Sequence, residues 1–330
     1  MGAVTSDPAL LEETEVWFVR HGLPWFVPRE REAAAAALRP RRLVPLVGLV
    51  LVLGAAVAVA LATLLDEFSF APAAITLIVA LAALWYGVTA VRARPIVTWA
   101  VSHTMSSLRV LLPMVARALP LLLVFVTFLF INAEVWQLAS HLDGGVLWLT
   151  VLLFAAMAVV FLVVRLPEEL DSSDHALDET RVRAALRGTP LESRTDDVVA
   201  SSGPVLAEDT RIGGFERANL VLVLVVAQVS QVLLLTLAVF VFFLVFGGIS
   251  MQDSVAAAWV GSDTHHVSWL PNVSVELVQV AVFLSAFSGL YFTVVVVTDE
   301  TYREQFFTGV MNELDRALGV RAAYLSLPQE

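Results

Sequence analysis

LVPLVGLVLVLGAAVAVALATLL, residues 43–65, contains no charge and no alternation of apolar with polar positions. A helix crossing the hydrocarbon of a bilayer, about 30 Å thick, needs about 20 such residues. A secretory h-region is shorter, and residues 1–42 carry charges throughout, so the block reads as a membrane span and no signal peptide is expected before it. Five further blocks of similar character follow, at 71–91, 119–139, 145–164, 220–246 and 277–297. The expected fold is all-α: a polytopic bundle of six transmembrane helices with amphipathic interfacial helices.

The whole composition agrees with that block. Of 330 residues, 58% are hydrophobic and 15% charged, against about 25% charged in soluble domains. There is no Cys, which excludes disulfides and thiolate sites. A net charge of −11 argues against nucleic acid as a partner. Every basic residue is Arg, which points to a GC-rich bacterial genome.

Arg placement gives direction. All twenty fall in 1–42, 92–118, 165–218 and 298–330, and none in 66–70, 140–144 or 247–276. By the positive-inside rule both termini are expected in the cytoplasm of a multi-pass cell-membrane protein. Trp17, Trp25, Trp85 and Trp99 then fall near inner boundaries, and Trp136, Trp148, Trp259 and Trp269 near outer ones, as aromatic belts. The fifth block would be about 40 Å long as a helix, so it should tilt or project. Gly54, Ala58 and Ala62, and likewise Ala281, Ser285 and Gly289, place small residues at every fourth position. These read as packing seams within one bundle, although such seams also drive dimers. No internal repeat of the transporter kind is visible.

Outside the spans, 1–42 is expected as an N-terminal segment holding an interfacial anchor built from Val16 to Val27. Residues 95–118 read as an amphipathic helix on the inner leaflet, with Thr98, Ser102, Ser106, Arg109 and Arg117 on its polar stripe and Pro113 as its end. The loop 165–218, counted with the bundle 43–297, should hold a short helix over 174–187 stopped by Gly188, then a linker. Its apolar content is too low for a core of its own. The C-terminal segment 298–330 reads as an amphipathic helix with Phe307, Val310, Met311, Leu314, Ala317 and Leu318 as its apolar stripe.

Arg20-His21-Gly22, following an apolar run, looks like the opening of the histidine phosphatase family, where a strand delivers a phosphoryl-accepting His. That fold needs a soluble α/β domain with a second His, and no segment here is long enough to supply one. Leu23 and Pro24 also stand where the family has a polar pair. The stretch is therefore read as an anchor with a turn at Gly22-Leu23-Pro24. ARALPLLLVFVTFLFINAEVWQ (116–137), VTDETYREQF (297–306) and GLPWFV (22–27) resemble uncharacterised multi-pass integral membrane proteins of actinobacteria. The resemblance implies class and location, and no activity comes with it.

Candidate site residues are few. Arg117 and Glu134 lie about 25 Å apart along a helix, less than the hydrocarbon thickness. A span starting near 110 would bury Arg117; one starting near 119 puts Glu134 in the outer leaflet beside Asn132 and Gln137. The second is adopted, because Pro120 suits a first turn and Arg117 can snorkel. A buried Glu134 would face the bundle, and the competing reading is a capped helix end near water. Gln228 and Gln231 share a face of the fifth span, where polar groups either bond a neighbouring helix or form a solute site. Asp263, His265 and His266 form a loose cluster with solvation as the better reading, so no metal is expected. No phosphate-binding loop, metalloprotease motif or nucleophile elbow occurs, so no catalytic residue and no cofactor are assigned. The expectation is a non-enzymatic accessory or scaffold component of the cell envelope, with the lipid bilayer and other membrane proteins or itself as partners. A channel or transporter for a small solute or ion is the alternative.

Overall fold

The computed structural model describes residues 8–66, 68–142, 144–172, 179–196, 213–267, 270–298, 313 and 316–325, with backbone alone over 107–122, 167–172, 179, 181, 267, 270–272 and 296–298. The helices are α1 (Pro8–Arg20), α2 (Pro28–Ala37), α3 (Pro40–Leu64), α4 (Phe70–Thr89), α5 (Arg94–Phe130), α6 (Ala133–Ser140) and α7 (Gly145–Ser172). They continue with α8 (Glu179–Leu186), α9 (Gly214–Ser250), α10 (Asp253–Val260), α11 (Val275–Thr298) and α12 (316–325). A short antiparallel hairpin, β1 (His266–Val267) with β2 (Leu270–Ser274), is an addition to the expected all-α fold.

Among the described residues, five helices are long and apolar enough to cross a membrane: α3, α4, α7, α9 and α11. A sixth crossing exists if α5 and α6 count as one broken span. The expected third span, 119–139, is corrected here. α5 passes through Pro113 and Pro120 without a break and ends at Phe130, and α6 leaves at 74°. Helix continues through each proline because an open chain in hydrocarbon would orphan several backbone groups, whereas one proline removes one bond. The helix stops instead at Asn132, whose extended backbone and side-chain acceptor cap α6.

Neighbouring helices pack in the order α3, α4, α7, α11, α9, α5. Both small-residue seams lie inside the bundle. Gly54, Ala58 and Ala62 are buried on α3, and a Cβ on Gly54 would touch Ile78 of α4 at 3.6 Å. Gly289 of α11 lies against Val232 and Thr236 of α9. Gly145 is required where α7 begins, because a Cβ there would fall on the Ser69 backbone.

α9 has 37 residues, or roughly 55 Å, longer than the hydrocarbon core is thick. Its first turns enter one apolar core, at the end of the molecule that carries both terminal helices. Its last turns enter a second core, at the end that carries the β-hairpin. The first core gathers Trp17, Phe18, Trp25 and Phe26, then Ile96 and Ala100, Val182 and Leu186, Leu220 and Leu224, and finally Val320 and Ala323. Five stretches far apart in sequence meet there. The aromatic stretch expected as an interfacial anchor is thus buried against protein, and Val182, Leu186 and Leu191 of the large loop join a core rather than building one. Of the C-terminal stripe, Ala317 and Leu318 are buried, while Phe307, Val310, Met311 and Leu314 lie outside the described residues.

The expected aromatic belts need the same correction. Trp85 and Trp148 project from the bundle, but Trp17, Trp25 and Trp136 are core residues. A buried indole needs a partner for its N–H. Trp25 Nε1 donates to the Val91 carbonyl at 3.0 Å and Trp136 Nε1 to that of Phe130 at 2.7 Å.

Candidate functional site

Arg20-His21-Gly22 closes a helix. Gly22 has φ +75°, Leu23 N–H donates to Phe18 O at 2.9 Å, and Gly22 N–H to Val19 O at 3.3 Å. This pair of bonds is the Schellman ending, which needs a left-handed residue and therefore favours glycine. His21 folds back on its own helix: its ring stacks on Trp17 at 4.0 Å and Nδ1–H donates to Trp17 O at 2.8 Å.

The turn after it is held by α9. Asn219 is wholly buried, accepts from Trp25 N–H at 3.0 Å and donates to Gly22 O at 2.8 Å. One helical turn earlier, Glu216 takes Arg31 Nη1 on Oε1 at 3.0 Å, and Arg321 Nη2 and Nε on Oε2 at 2.8 and 2.9 Å. A single carboxylate thereby joins α2, α9 and α12. Tyr324 completes the link between the terminal segments by donating to Glu15 at 3.0 Å. Burial first, and the Glu15 carboxylate second, push the Tyr324 phenol up to about 12, with Arg31 opposing. Arg316 lies over the Trp17 ring at 5.8 Å and donates to the Arg187 carbonyl at the end of α8. Sequence reading passed over Glu216 and Asn219. The available signal was their spacing of one turn immediately before a long apolar run.

At the other end, Asn132 accepts from Glu134 N–H at 2.8 Å, and Asn132, Glu134 and Gln137 are all exposed on the chain. The length argument for a buried Glu134 required one straight helix from 119 to 139, and the bend at 131–132 removes that requirement. His265 donates through Nδ1 to Glu276 at 3.0 Å, while His266 Nε2 stands 3.4 Å from Asp253. The two rings thus serve different carboxylates, and no trio of metal-binding side chains gathers among the described residues.

Gln228 and Gln231 lie between the two apolar cores, since α9 contributes residues up to Val229 to one and from Val232 onward to the other. Gln228 Nε2 and Gln231 Oε1 are buried and make no hydrogen bond among the described residues. They stand roughly 18 to 22 Å along α9 from Phe243, which stacks on Phe130. The structure therefore does not bring the glutamines together with Asn132, Glu134 and Gln137. No family model, curated protein or solved structure matches the chain.

Proposed function

We propose that this integral membrane protein is a non-catalytic accessory or scaffold component of a bacterial cell envelope. What carries the reading is the composite core at the terminal end. The apolar core packs separate stretches into one unit over the bundle, and Trp25, Asn219, Glu216, Arg321 and Tyr324 bond three of them together: the N-terminal segment, α9 and α12. Ordering that much chain costs conformational entropy in every segment, and a rigid surface is what a docking protein needs. The clustering of Arg in the segments that build this unit supports a cytoplasmic position for it, and the resemblance to actinobacterial membrane proteins is compatible with that reading.

Affinity purification from native membranes, followed by mass spectrometry, tests the role. One partner should be retained in fixed ratio by the whole chain and lost from a variant whose terminal unit is loosened. Retention unchanged in that variant would overturn the reading. Orientation is checked separately, because the chain lacks Cys. Ser254→Cys should react with an impermeant maleimide on intact cells, and Ser201→Cys only after lysis.

A second reading, a pathway for a small solute or ion, draws on Gln228 and Gln231. Two buried amide atoms without partners at mid-bundle each carry a desolvation cost of about 1–3 kcal/mol. A solute or water held there would remove it. Solute flux in proteoliposomes that Gln228→Leu abolishes would favour this reading over the first.

A further inference from the structure

The run REREAAAAALRP, residues 29–40, makes α2 a helix with a face of small side chains. Alanine is the best helix former, so the helix costs nothing by carrying five in a row. Alanines also leave space. Where α2 lies over the start of α3 and the end of α4, a trough of about 550 Å³ opens, floored by Ala33, Ala36 and Leu46 and walled by Tyr86, Arg42 and Arg92. Tyr86 is fixed there because its hydroxyl donates to Ala37 O at 2.7 Å.

The charge of this corner is one-sided. Arg39, Arg41 and Arg42 open α3, and Arg92 and Arg94 form the turn into α5; all five are exposed. Arg92 adopts φ +61°, a conformation disfavoured for a side-chain-bearing residue. Its nearest carboxylate is Glu30, at 3.8 Å, and an exposed pair that long contributes little. Arg42 forms no ion pair with any described residue. Below the arginines the outer faces of α3 and α4 are apolar and open, with Val44, Val47 and Trp85 exposed. Guanidinium groups at the level where spanning helices end, with an apolar trough running down from them, match an amphipathic anion.

We propose that this trough holds one anionic phospholipid, its phosphodiester between Arg42 and Arg92 and its acyl chains along the α3–α4 surface. Free phosphate shares the headgroup chemistry but would leave the floor of Ala33, Ala36 and Leu46 unused. Each arginine should contribute about fivefold in affinity, the equivalent of about 1 kcal/mol per basic residue near an anionic headgroup.

The test uses the full chain in detergent, titrated in native mass spectrometry with phosphatidylglycerol or phosphatidylcholine of identical acyl chains. One phosphatidylglycerol should be retained in preference to phosphatidylcholine. Arg42→Gln with Arg92→Gln should erase the preference. Ala36→Trp, which fills the trough and keeps both charges, should also erase it, with unchanged elution on gel filtration showing that the chain remains folded. Equal retention of the two lipids by the parent chain would overturn the site, as would a preference surviving in both variants. Competition by glycerol phosphate as effective as that by the lipid would overturn the lipid as occupant.

Discussion

The two ends of α9 lie in cores held together by different means. At the terminal end, cohesion comes from directed bonds between residues distant in sequence: Asn219 to Gly22 and Trp25, Glu216 to Arg31 and Arg321, Tyr324 to Glu15. At the hairpin end, directed bonds such as Trp136 to Phe130 and His265 to Glu276 join residues close in sequence, and distant helices meet through rings. Phe130 stacks on Phe243 at 4.9 Å, and Phe242 on Phe246 at 5.7 Å. The difference follows from what each end must do. Helices already formed need only shape to pack. Five short stretches, none able to bury itself, need polar contacts that fix which one lies where. The terminal end should therefore fail through loss of a single bond partner, and the hairpin end through loss of fit.

Glu216→Ala should show the largest effect. It removes the carboxylate on which Arg31 and Arg321 converge, and removal of one partner from a largely buried pair costs about 3 kcal/mol. In hydrogen exchange, α1, α2 and α12 should lose protection while α11 keeps it. Uniform loss over both ends would mean that the two cores are one cooperative unit.

Gly145→Val probes the other end by shape alone. Any Cβ at 145 meets the Ser69 backbone, and accommodation costs about 1–3 kcal/mol. Thermal unfolding in detergent should show the loss, and exchange in α1 should stay unchanged. Trp136→Phe is subtler: the ring packing survives, but the Phe130 carbonyl at the bend loses its donor, a cost of about 1–2 kcal/mol. If Trp136→Phe proved as damaging as Gly145→Val, the hairpin end would be bond-held as well.

How much of this was legible follows from the same contrast. Each spanning helix announces itself in a contiguous run, because lipid demands about 20 apolar residues together. The seams at Gly54 and Gly289 repeat within one helix and could be read there. The terminal core could not: Trp25 and Val320 belong to one cluster, yet nothing local in either stretch names the other. Trp17 and Trp25 look alike as belt or core, since an amphipathic ring suits both. The bend at Asn132 was hidden because Asn132 interrupts an apolar run only briefly. Gln228 and Gln231 were visible as polar interruptions, but their place between two cores emerges only once the cores are known.

A weaker test of the terminal end is chemical. The Tyr324 phenol has its pKa raised from about 10 to about 12, so the folded state holds this proton more tightly than the unfolded one. Its contribution is complete below pH 10 and is lost as pH rises toward 12. Tyr324→Phe should remove that part of the alkaline slope and cost about 1 kcal/mol at neutral pH through the lost bond to Glu15. An alkaline slope identical in Tyr324→Phe would separate Tyr324 from the link between the termini.

Glu134 should show the smallest effect, and that makes it informative. It sits in the first turn of α6, exposed, with its N–H already capped by Asn132. A carboxylate there interacts with the helix dipole for about 0.3–1 kcal/mol at most, whereas a carboxylate facing the bundle would be tied to assembly. Asn132→Ala removes the cap and should cost about 1 kcal/mol. Glu134→Gln should cost less than Asn132→Ala and leave Trp136 fluorescence unchanged. If the order reversed, with Glu134→Gln the more harmful, the side chain would be making a contact across the bundle. The hairpin end would then share the directed, charge-based bonding of the terminal end.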